Sequence, residues 1–482
     1  MADPKGFLKY QRKDNPMRPI MQRVKDFDAL ELDVSMEERR KQAARCMNCG
    51  IPFCHHGVFY GGGRAVSGCP NDNLIPEWND LVYRAEDKRA FERLSRSNML
   101  PDMTGRVCPA PCEVSCVQAL NGPGVTIRNN EKYIIEQAFK NGWVVASGKP
   151  LQRTGKKVAV IGSGPAGISA AWRLNQLGHS VTIFERDDRF GGFLMYGIPN
   201  MKLPKTVVQR RIETLKQVGI ELVANTEVGK DISADELKQQ FDRVIVCTGA
   251  RQARELPVPG RELGGIVQAV DFLKTATQTV LKDGTQANTQ LKGKRVLVLG
   301  GGDTGNDCIA TAIRQGCAGV TQLEITPALP PKRTAGNQWP EWPMTLKAGY
   351  GQKEAKALFG GDVTTYAATV TAFFGEHGQV SEAEISQVDH FKPIAGTEKK
   401  VKVDLVVLAM GFTGPEADVL MHLGLLPRIL TSQPMIPRFM LLVIVAAAPA
   451  WLFGGFTKAA CVRKKSMHPC KHWQVKRYRL AV

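Results

Sequence analysis

The chain has 482 residues, 43% hydrophobic and 23% charged, a globular rather than a disordered composition, and room for two to four domains. Its net charge of +18 invites a nucleic-acid role, but the distribution excludes one. Val419–Val482 contains ten Lys or Arg and no Asp or Glu, so the first 418 residues net only +8.

In chain order, the N-terminus MADPKGFLKYQRKDNP has no apolar core and no small-residue cleavage site, unlike a secretory signal. That favours the cytoplasm, where thiols stay reduced. Twelve Cys are present and seven lie between positions 46 and 116. Cys46, Cys49 and Cys54 form CMNCGIPFC; Cys69 follows in SGCPND; Cys108, Cys112 and Cys116 form CPAPCEVSC. Pro follows Cys69 and Cys108, as in ferredoxin-type runs, and seven thiolates approach the eight ligands that two four-iron clusters need. Zinc, which also suits C-x2-C pairs, and buried structural Cys are the alternatives. Cys247, Cys308 and Cys317 read as core residues.

KKVAVIGSGPAGISAAWRLNQLGHSVTIFER predicts a buried strand over Val158–Ile161, a helix over Ile168–Leu177 and a second strand over Ser180–Phe184. Between them Gly162, Gly164 and Gly167 give G-x-G-x-x-G, with Pro165 and Ala166 inside the turn. These glycines allow the tight turn, the approach to a pyrophosphate and the packing of helix on strand; Glu185 can then accept a ribose hydroxyl, with Arg186 beside it. In RFGGFLMYGIPNMKLPK, Gly191 and Gly192 suit close approach to a nucleotide, an ordinary surface turn being the alternative. Val244–Gly249 reads as a strand ending in Thr-Gly, and Leu405–Gly411 echoes it, so Gly249 and Gly411 join the candidates; both strands are expected to return the chain to the first sheet.

KRVLVLGGGDTGNDCIATAIRQGCAGVTQLEI repeats the unit: strand Arg295–Leu299, turn Gly300, Gly302 and Gly305 with Asp303 and Thr304, helix Asp307–Arg314, strand Val320–Ile325. Two dinucleotide turns behind cluster-type cysteines imply an electron relay. One nucleotide should be a flavin, which can divide a hydride's two electrons toward one-electron clusters, and the other a nicotinamide. Glu324 ends the second strand and favours NADH, whereas Arg333 could reach the 2′-phosphate of NADPH.

The tail departs from this pattern. Phe439–Phe456 is eighteen residues without a charge, followed by Lys458, Arg463, Lys464 and Lys465, which alone would suit a membrane helix.

From about residue 3 to 424 the chain resembles the small (β) subunit of bacterial glutamate synthase. CMNCGIPFCHHG, GCPNDNLIPEWNDLVY, TGRVCPAPCEVSCVQALN, VTIRNNEKYIIE, IGSGPAGISAA, GGFLMYGIPNMKL, GGGDTGNDC and QWPEWP carry the resemblance. The N-terminal part also resembles the electron-entry half of dihydropyrimidine dehydrogenase. The resemblance implies an α/β chain. A helical iron–sulfur domain (1–150) would precede two Rossmann-like domains of the disulfide-oxidoreductase type: FAD over 151–290 and again 401–424, NAD(P)H over 291–400. It implies FAD, NADPH (NADH being possible), two [4Fe–4S] clusters, and a large (α) subunit that makes L-glutamate from L-glutamine and 2-oxoglutarate. It also implies one cluster on Cys46, Cys49, Cys54 and Cys116, and another on Cys69, Cys108 and Cys112 with Glu131 as fourth ligand. The alternative for Glu131 is a solvated acid at a helix start. No side chain need act as acid, base or nucleophile.

The family continues after GFTGPE with a stretch containing Ala-Ala-Gly-Asp, whose Gly-Asp contacts the flavin. Read one base earlier, plausible codons for Phe439–Val445 give Val-Tyr-Ala-Ala-Gly-Asp-Cys, and single-codon Met440 and Trp451 both fit. Residues 425–482 are therefore expected to be an out-of-frame tail with no membrane role, at the expense of the flavin's last contacts. Pro449 also interrupts any spanning helix. Two rivals stand beside the family function: the same relay serving another acceptor such as a ferredoxin, and a non-catalytic scaffold.

Overall fold

The computed structural model describes residues 3–55, 57–60 and 65–423. The apolar stretch 439–456, the tail from 425, Cys461 and Cys470 lie outside the described residues. Among the described residues no helix is long and apolar enough to cross a membrane.

The N-terminal part is helical, as its short apolar runs and Pro-opened turns dictate. Ser35 caps Met36–Ala44, its Oγ accepting from the Glu38 N–H at 3.2 Å. Pro76 and Pro101 sit in the first turns of Ile75–Tyr83 and Pro101–Val107, where a missing N–H costs nothing. The longest helix of this part, Ile127–Lys140, buries Ile134 and Ile135 against Trp78, Leu94 and Met103. That core runs on without a break into Ile168, Trp172 and Leu215 of the next unit. At the same seam the Arg211 guanidinium donates twice to the Asp102 carboxylate, at 2.8 and 3.0 Å, both side chains at most 2% exposed.

Two parallel sheets follow, with the same plan. In the first the order is Glu221–Val223, Ser180–Phe184, Lys157–Ile161, Arg243–Val246. In the second it is Thr364–Tyr366, Gly319–Glu324, Arg295–Leu299, Leu405–Leu408, Ile266–Gln268. Each glycine turn thus lies between a central strand and its helix, Pro165–Gln176 or Asp303–Arg314. An antiparallel sheet, Ala368–Glu376 with Gln379–Asp389 and Lys399–Lys402, is inserted before the fourth strand of the second unit.

Two expectations are corrected. Leu405–Leu408 does not return to the first sheet; it pairs with Arg295–Leu299 and Ile266–Gln268. Its Val406 and Leu408 face Val370, Phe373 and Ala383 of the inserted sheet while Val407 faces Ile309 and Ile313, so both of its faces are covered only there. The second unit also starts earlier than 291, because Ile266–Gln268 and the helix Ala269–Asp283 belong to it. The chain crosses between units through a two-stranded ribbon, Gln252–Ala253 with Phe412–Gly414, and Leu420 then rejoins the first core beside Ile161, Phe184 and Val246.

Candidate nucleotide and iron–sulfur sites

The two glycine turns are built alike in their backbone. Gly162 (φ +96°) and Gly300 (φ +118°) hold backbone that a side chain resists; a Cβ there would meet the Cys247 carbonyl oxygen at 2.6 Å or the Ala409 carbonyl oxygen at 2.3 Å. At Gly167 and Gly305 a Cβ would stand 1.9 Å from the Gly162 oxygen and 2.1 Å from the Gly300 oxygen. Between them, Gly164 and Gly302 face open space and N-cap the helices without side-chain caps. Pro165 and Asp303 are the first helical residues, followed by Ala166 and Thr304. Uncapped N–H groups beside an open hollow are the construction that receives a phosphate.

The acids at the ends of the second strands reach back to these turns. Glu185 Oε2 accepts from the Ser163 N–H at 3.0 Å and Oε1 from the Asp187 N–H at 3.0 Å. Glu324 does the same, Oε2 accepting from Gly301 N–H at 2.7 Å and Oε1 from Thr326 N–H at 2.9 Å. Arg186 pairs with Glu416 at 2.6 Å, tying the first unit to the segment beyond the ribbon. Gly191 and Gly192 are not an ordinary surface turn: a Cβ on Gly192 would meet the Gly164 Cα at 3.0 Å, and the Gly191 N–H donates to Ser163 Oγ at 2.9 Å. Gly249 and Gly411 end corresponding strands with left-handed φ of +71° and +80° and open space beside them, one in each unit. Arg333 is anchored within its own loop. Its guanidinium donates to the Asn337 and Glu341 carbonyl oxygens at 3.2 and 2.7 Å, within its own loop.

The cysteines fall into two neighbourhoods. Cys69, Cys108 and Cys112 line one cavity with Glu131, Asn73, Asn98, Thr104 and Arg128. Glu131 is 6% exposed, which removes the solvated alternative. It accepts from Asn73 Nδ2 and Asn98 Nδ2 at 3.3 Å and from Thr104 Oγ1. Burial pushes its carboxyl up to about 7, against the Thr104 hydrogen bond. Cys46, Cys49, Cys54 and Cys116 form the second neighbourhood. Burial pushes the Cys46 thiol to about 12, and Cys54 well above its ordinary value, with the facing sulfurs of the set adding to both. Cys69 and Cys108 are pushed to about 12 by burial, and Cys112 well above its ordinary range. Thiols crowded this way in a dry interior ionise only against a cation, which is how an iron–sulfur cluster would hold them. Among the described residues no three His, Cys, Asp or Glu side chains converge as a single-ion site requires. Cys247, Cys308 and Cys317 are buried core residues, as expected.

Sequence reasoning missed Ser163, which links Glu185 to Gly191, and Trp339, whose Nε1 donates to the Cys116 carbonyl oxygen at 3.3 Å. Both lie in motifs quoted above, IGSGPAGISAA and QWPEWP, but their partners are 22 and 223 residues away, so neither role shows locally.

Residues 156–426 match the pyridine nucleotide-disulphide oxidoreductase family, and residues 23–143 match dihydropyrimidine dehydrogenase domain II, 4Fe-4S cluster. The glutamate synthase [NADPH] small chain of Bacillus subtilis is 48% identical over 436 residues, 88% of each chain. The corresponding small chain of Mycobacterium tuberculosis is 44% identical over 435 residues, 88% of this chain and 86% of that one. Thioredoxin reductase from T. acidophilum superposes with a TM-score of 0.39 at 19% identity, over 55% of this chain and 80% of that one. A [4Fe–4S] domain joined to a pyridine nucleotide-disulphide oxidoreductase unit, with this identity along nearly the whole described chain, makes the protein an NAD(P)H-dependent oxidoreductase of the glutamate synthase small-chain family.

Proposed function

We propose that this chain is the electron-input subunit of a cytoplasmic glutamate synthase, working with a large subunit that makes L-glutamate from L-glutamine and 2-oxoglutarate. The observation that carries it is the paired construction of the two glycine turns beside seven gathered thiols. The chemistry these groups supply when bound is hydride acceptance from NAD(P)H by FAD and one-electron hand-on through [4Fe–4S] clusters.

The chain's own residues would bind, orient and exclude water. Gly162, Gly164, Gly167, Pro165 and Ala166 would cradle the FAD pyrophosphate, with Glu185 on the ribose and Gly191, Gly192, Gly249 and Arg186 around it. Gly300, Gly302, Gly305, Asp303 and Thr304 would do the same for the nicotinamide nucleotide, with Gly411 beside them. Glu324, fixed on Gly301, would accept the ribose hydroxyls, which leaves NADH possible beside NADPH. Two clusters would be held, one by Cys46, Cys49, Cys54 and Cys116, the other by Cys69, Cys108, Cys112 and Glu131. The tail from 425 would be an out-of-frame segment, which resequencing codons 420–482 tests.

The deciding experiment measures iron, sulfide and flavin per chain, then NAD(P)H oxidation with a dye, then glutamate formation with a glutamate synthase large subunit added. Glutamate formed from glutamine and 2-oxoglutarate only when both chains are present supports the reading. Reduction of ferredoxin without any glutamate would favour the other-acceptor reading. A colourless, inactive protein would favour a scaffold.

A further inference from the structure

The loop between Arg333 and Met344 leaves the second nucleotide unit and folds over the first cysteine set, 223 residues away in sequence. The Trp339 indole packs on Phe53 with ring centroids 4.8 Å apart and planes tilted by 51°. Its Nε1 donates to the Cys116 carbonyl oxygen at 3.3 Å. One side chain therefore touches the residue preceding Cys54 and the backbone of Cys116. The loop that presents it is heavily pinned. Arg333 donates to the carbonyl oxygens of Asn337 and Glu341, while the buried Asn337 donates to Glu341 Oε2 at 3.0 Å and to the Trp342 carbonyl at 2.9 Å. Asn337 Oδ1 also accepts from the Met344 N–H at 2.7 Å.

The segment that carries Phe53 is open to water. Cys49 is only half-buried, and Ile51 and Phe53 beside it are 77% and 38% exposed. We propose that Trp339 is a positioning residue for the group held by Cys46, Cys49, Cys54 and Cys116, supplied by the nicotinamide unit to shield it from water and fix the Cys116 backbone. Arg333, the sequence-level candidate for a 2′-phosphate, serves instead to pin the loop that carries this lid. The inference rests on the assignment of a cluster to these four cysteines. It goes beyond that assignment in giving the second nucleotide unit a part in the cluster's environment.

Water reaching a cluster favours its more negatively charged reduced state, so exposure raises the reduction potential. Trp339→Ala and Trp339→Phe in the whole chain separate shielding from hydrogen bonding. Iron and sulfide in the native protein come first: their absence sinks the cluster assignment, and the inference with it. With iron present, the expected result is that Trp339→Ala loses one cluster's visible absorbance to an iron chelator several-fold faster than native. It also raises the potential of that cluster alone in an EPR-monitored titration. Trp339→Phe, which keeps the ring on Phe53, shifts both less. Arg333→Met, which unpins the loop without touching a cysteine, moves in the direction of Trp339→Ala. Native-like potentials and bleaching rates in Trp339→Ala, at native iron content, would overturn the inference while leaving the cluster assignment standing.

Discussion

Gly164 and Gly167 stand three residues apart in one turn, and the structure gives them opposite jobs. Alanine at Gly167 places a Cβ 1.9 Å from a backbone oxygen that cannot turn aside. Helix propensity returns about 1 kcal/mol for Gly→Ala, but overpacking against main chain costs about 3 kcal/mol or more. Gly167→Ala should therefore lose at least about 2 kcal/mol of stability, seen as a lower urea midpoint in flavin-free protein. Gly164 has φ −63° and ψ 179°, open to any residue, and no atom within 4 Å of its Cβ position. The lost N-cap preference and the gain from a stiffer unfolded chain roughly cancel, leaving Gly164→Ala within about 1 kcal/mol of native. Its methyl group would instead occupy the hollow assigned to the pyrophosphate, and 1–3 kcal/mol of crowding weakens flavin binding roughly 5- to 150-fold. Denaturation and flavin titration of the two variants read these effects separately. Gly302 and Gly305 repeat the experiment for the nicotinamide nucleotide. A Gly164→Ala protein that binds flavin like native, or a Gly167→Ala protein that unfolds like native, would refute the division of labour.

Other consequences follow from named groups. Glu324→Gln keeps acceptor and size but removes the charge, so kcat/KM for NADPH should rise relative to NADH by about tenfold, the equivalent of 1.4 kcal/mol; an unchanged ratio would show that the carboxylate does not face the ribose. Glu354 accepts from Arg23 at 2.6 Å and from Arg314 at 2.7 Å, with all three side chains at most 4% exposed. Glu354→Gln removes the carboxylate that two buried guanidinium groups share and should cost about 3–5 kcal/mol in chemical denaturation; a loss below about 1 kcal/mol would mean that water reaches them. Burial lowers the Lys205 ammonium to about 7 while its Nζ donates to the Leu194 and Ile198 carbonyls. Between about pH 7 and the ordinary lysine value the unfolded chain binds a proton that the folded chain does not. Stability should therefore climb with pH across that window, by at most about 1.4 kcal/mol per unit, and level off below it. Lys205→Met should flatten that slope, and an unaltered pH dependence in the variant would place the titration elsewhere.

Local structure was legible wherever a few adjacent residues decide it. Ser180–Phe184 and Arg295–Leu299 are strands over the residues expected, because runs this short, rich in Val and Ile or Leu and flanked by glycine, suit a buried strand rather than a helix. The helices begin earlier than expected, at Pro165 and Asp303, because Gly164 and Gly302 are themselves the N-caps. What sequence could not supply was partnership across distance. Leu405–Leu408 fits either parallel sheet by composition, and only the inserted antiparallel sheet, which covers one of its faces, decides. Arg333 carries a charge that suits a phosphate, and its bonds to two carbonyls of its own loop were not legible. Glu131 was placed by resemblance alone, since IRNNEKYIIE gives no hint that its acid points into a cavity of thiols.

The two nucleotide units, so alike in their turns, are attached to the cysteine domain by different physics. The first shares its apolar core with the cysteine helices through Ile134, Trp172 and Leu215, so neither part can separate without exposing both interiors. The second is held mainly by charged and polar links: Arg23, beside Arg314, on Glu354 joins it to the cysteine domain, while Lys202 to Asp307 at 3.2 Å and Lys274 to Asp187 at 2.8 Å join it to the first unit. A small apolar contact around Phe27, Met201 and Val280 supports them. Buried pairs of this kind fix orientation more than they add stability, because desolvation consumes much of their attraction. That difference suits the two ligands the family implies. A permanently bound flavin needs an unvarying distance to the cysteine domain, which a continuous core supplies. A nicotinamide nucleotide that arrives and leaves at every turnover needs a unit held in register, yet separable from that core at low cost.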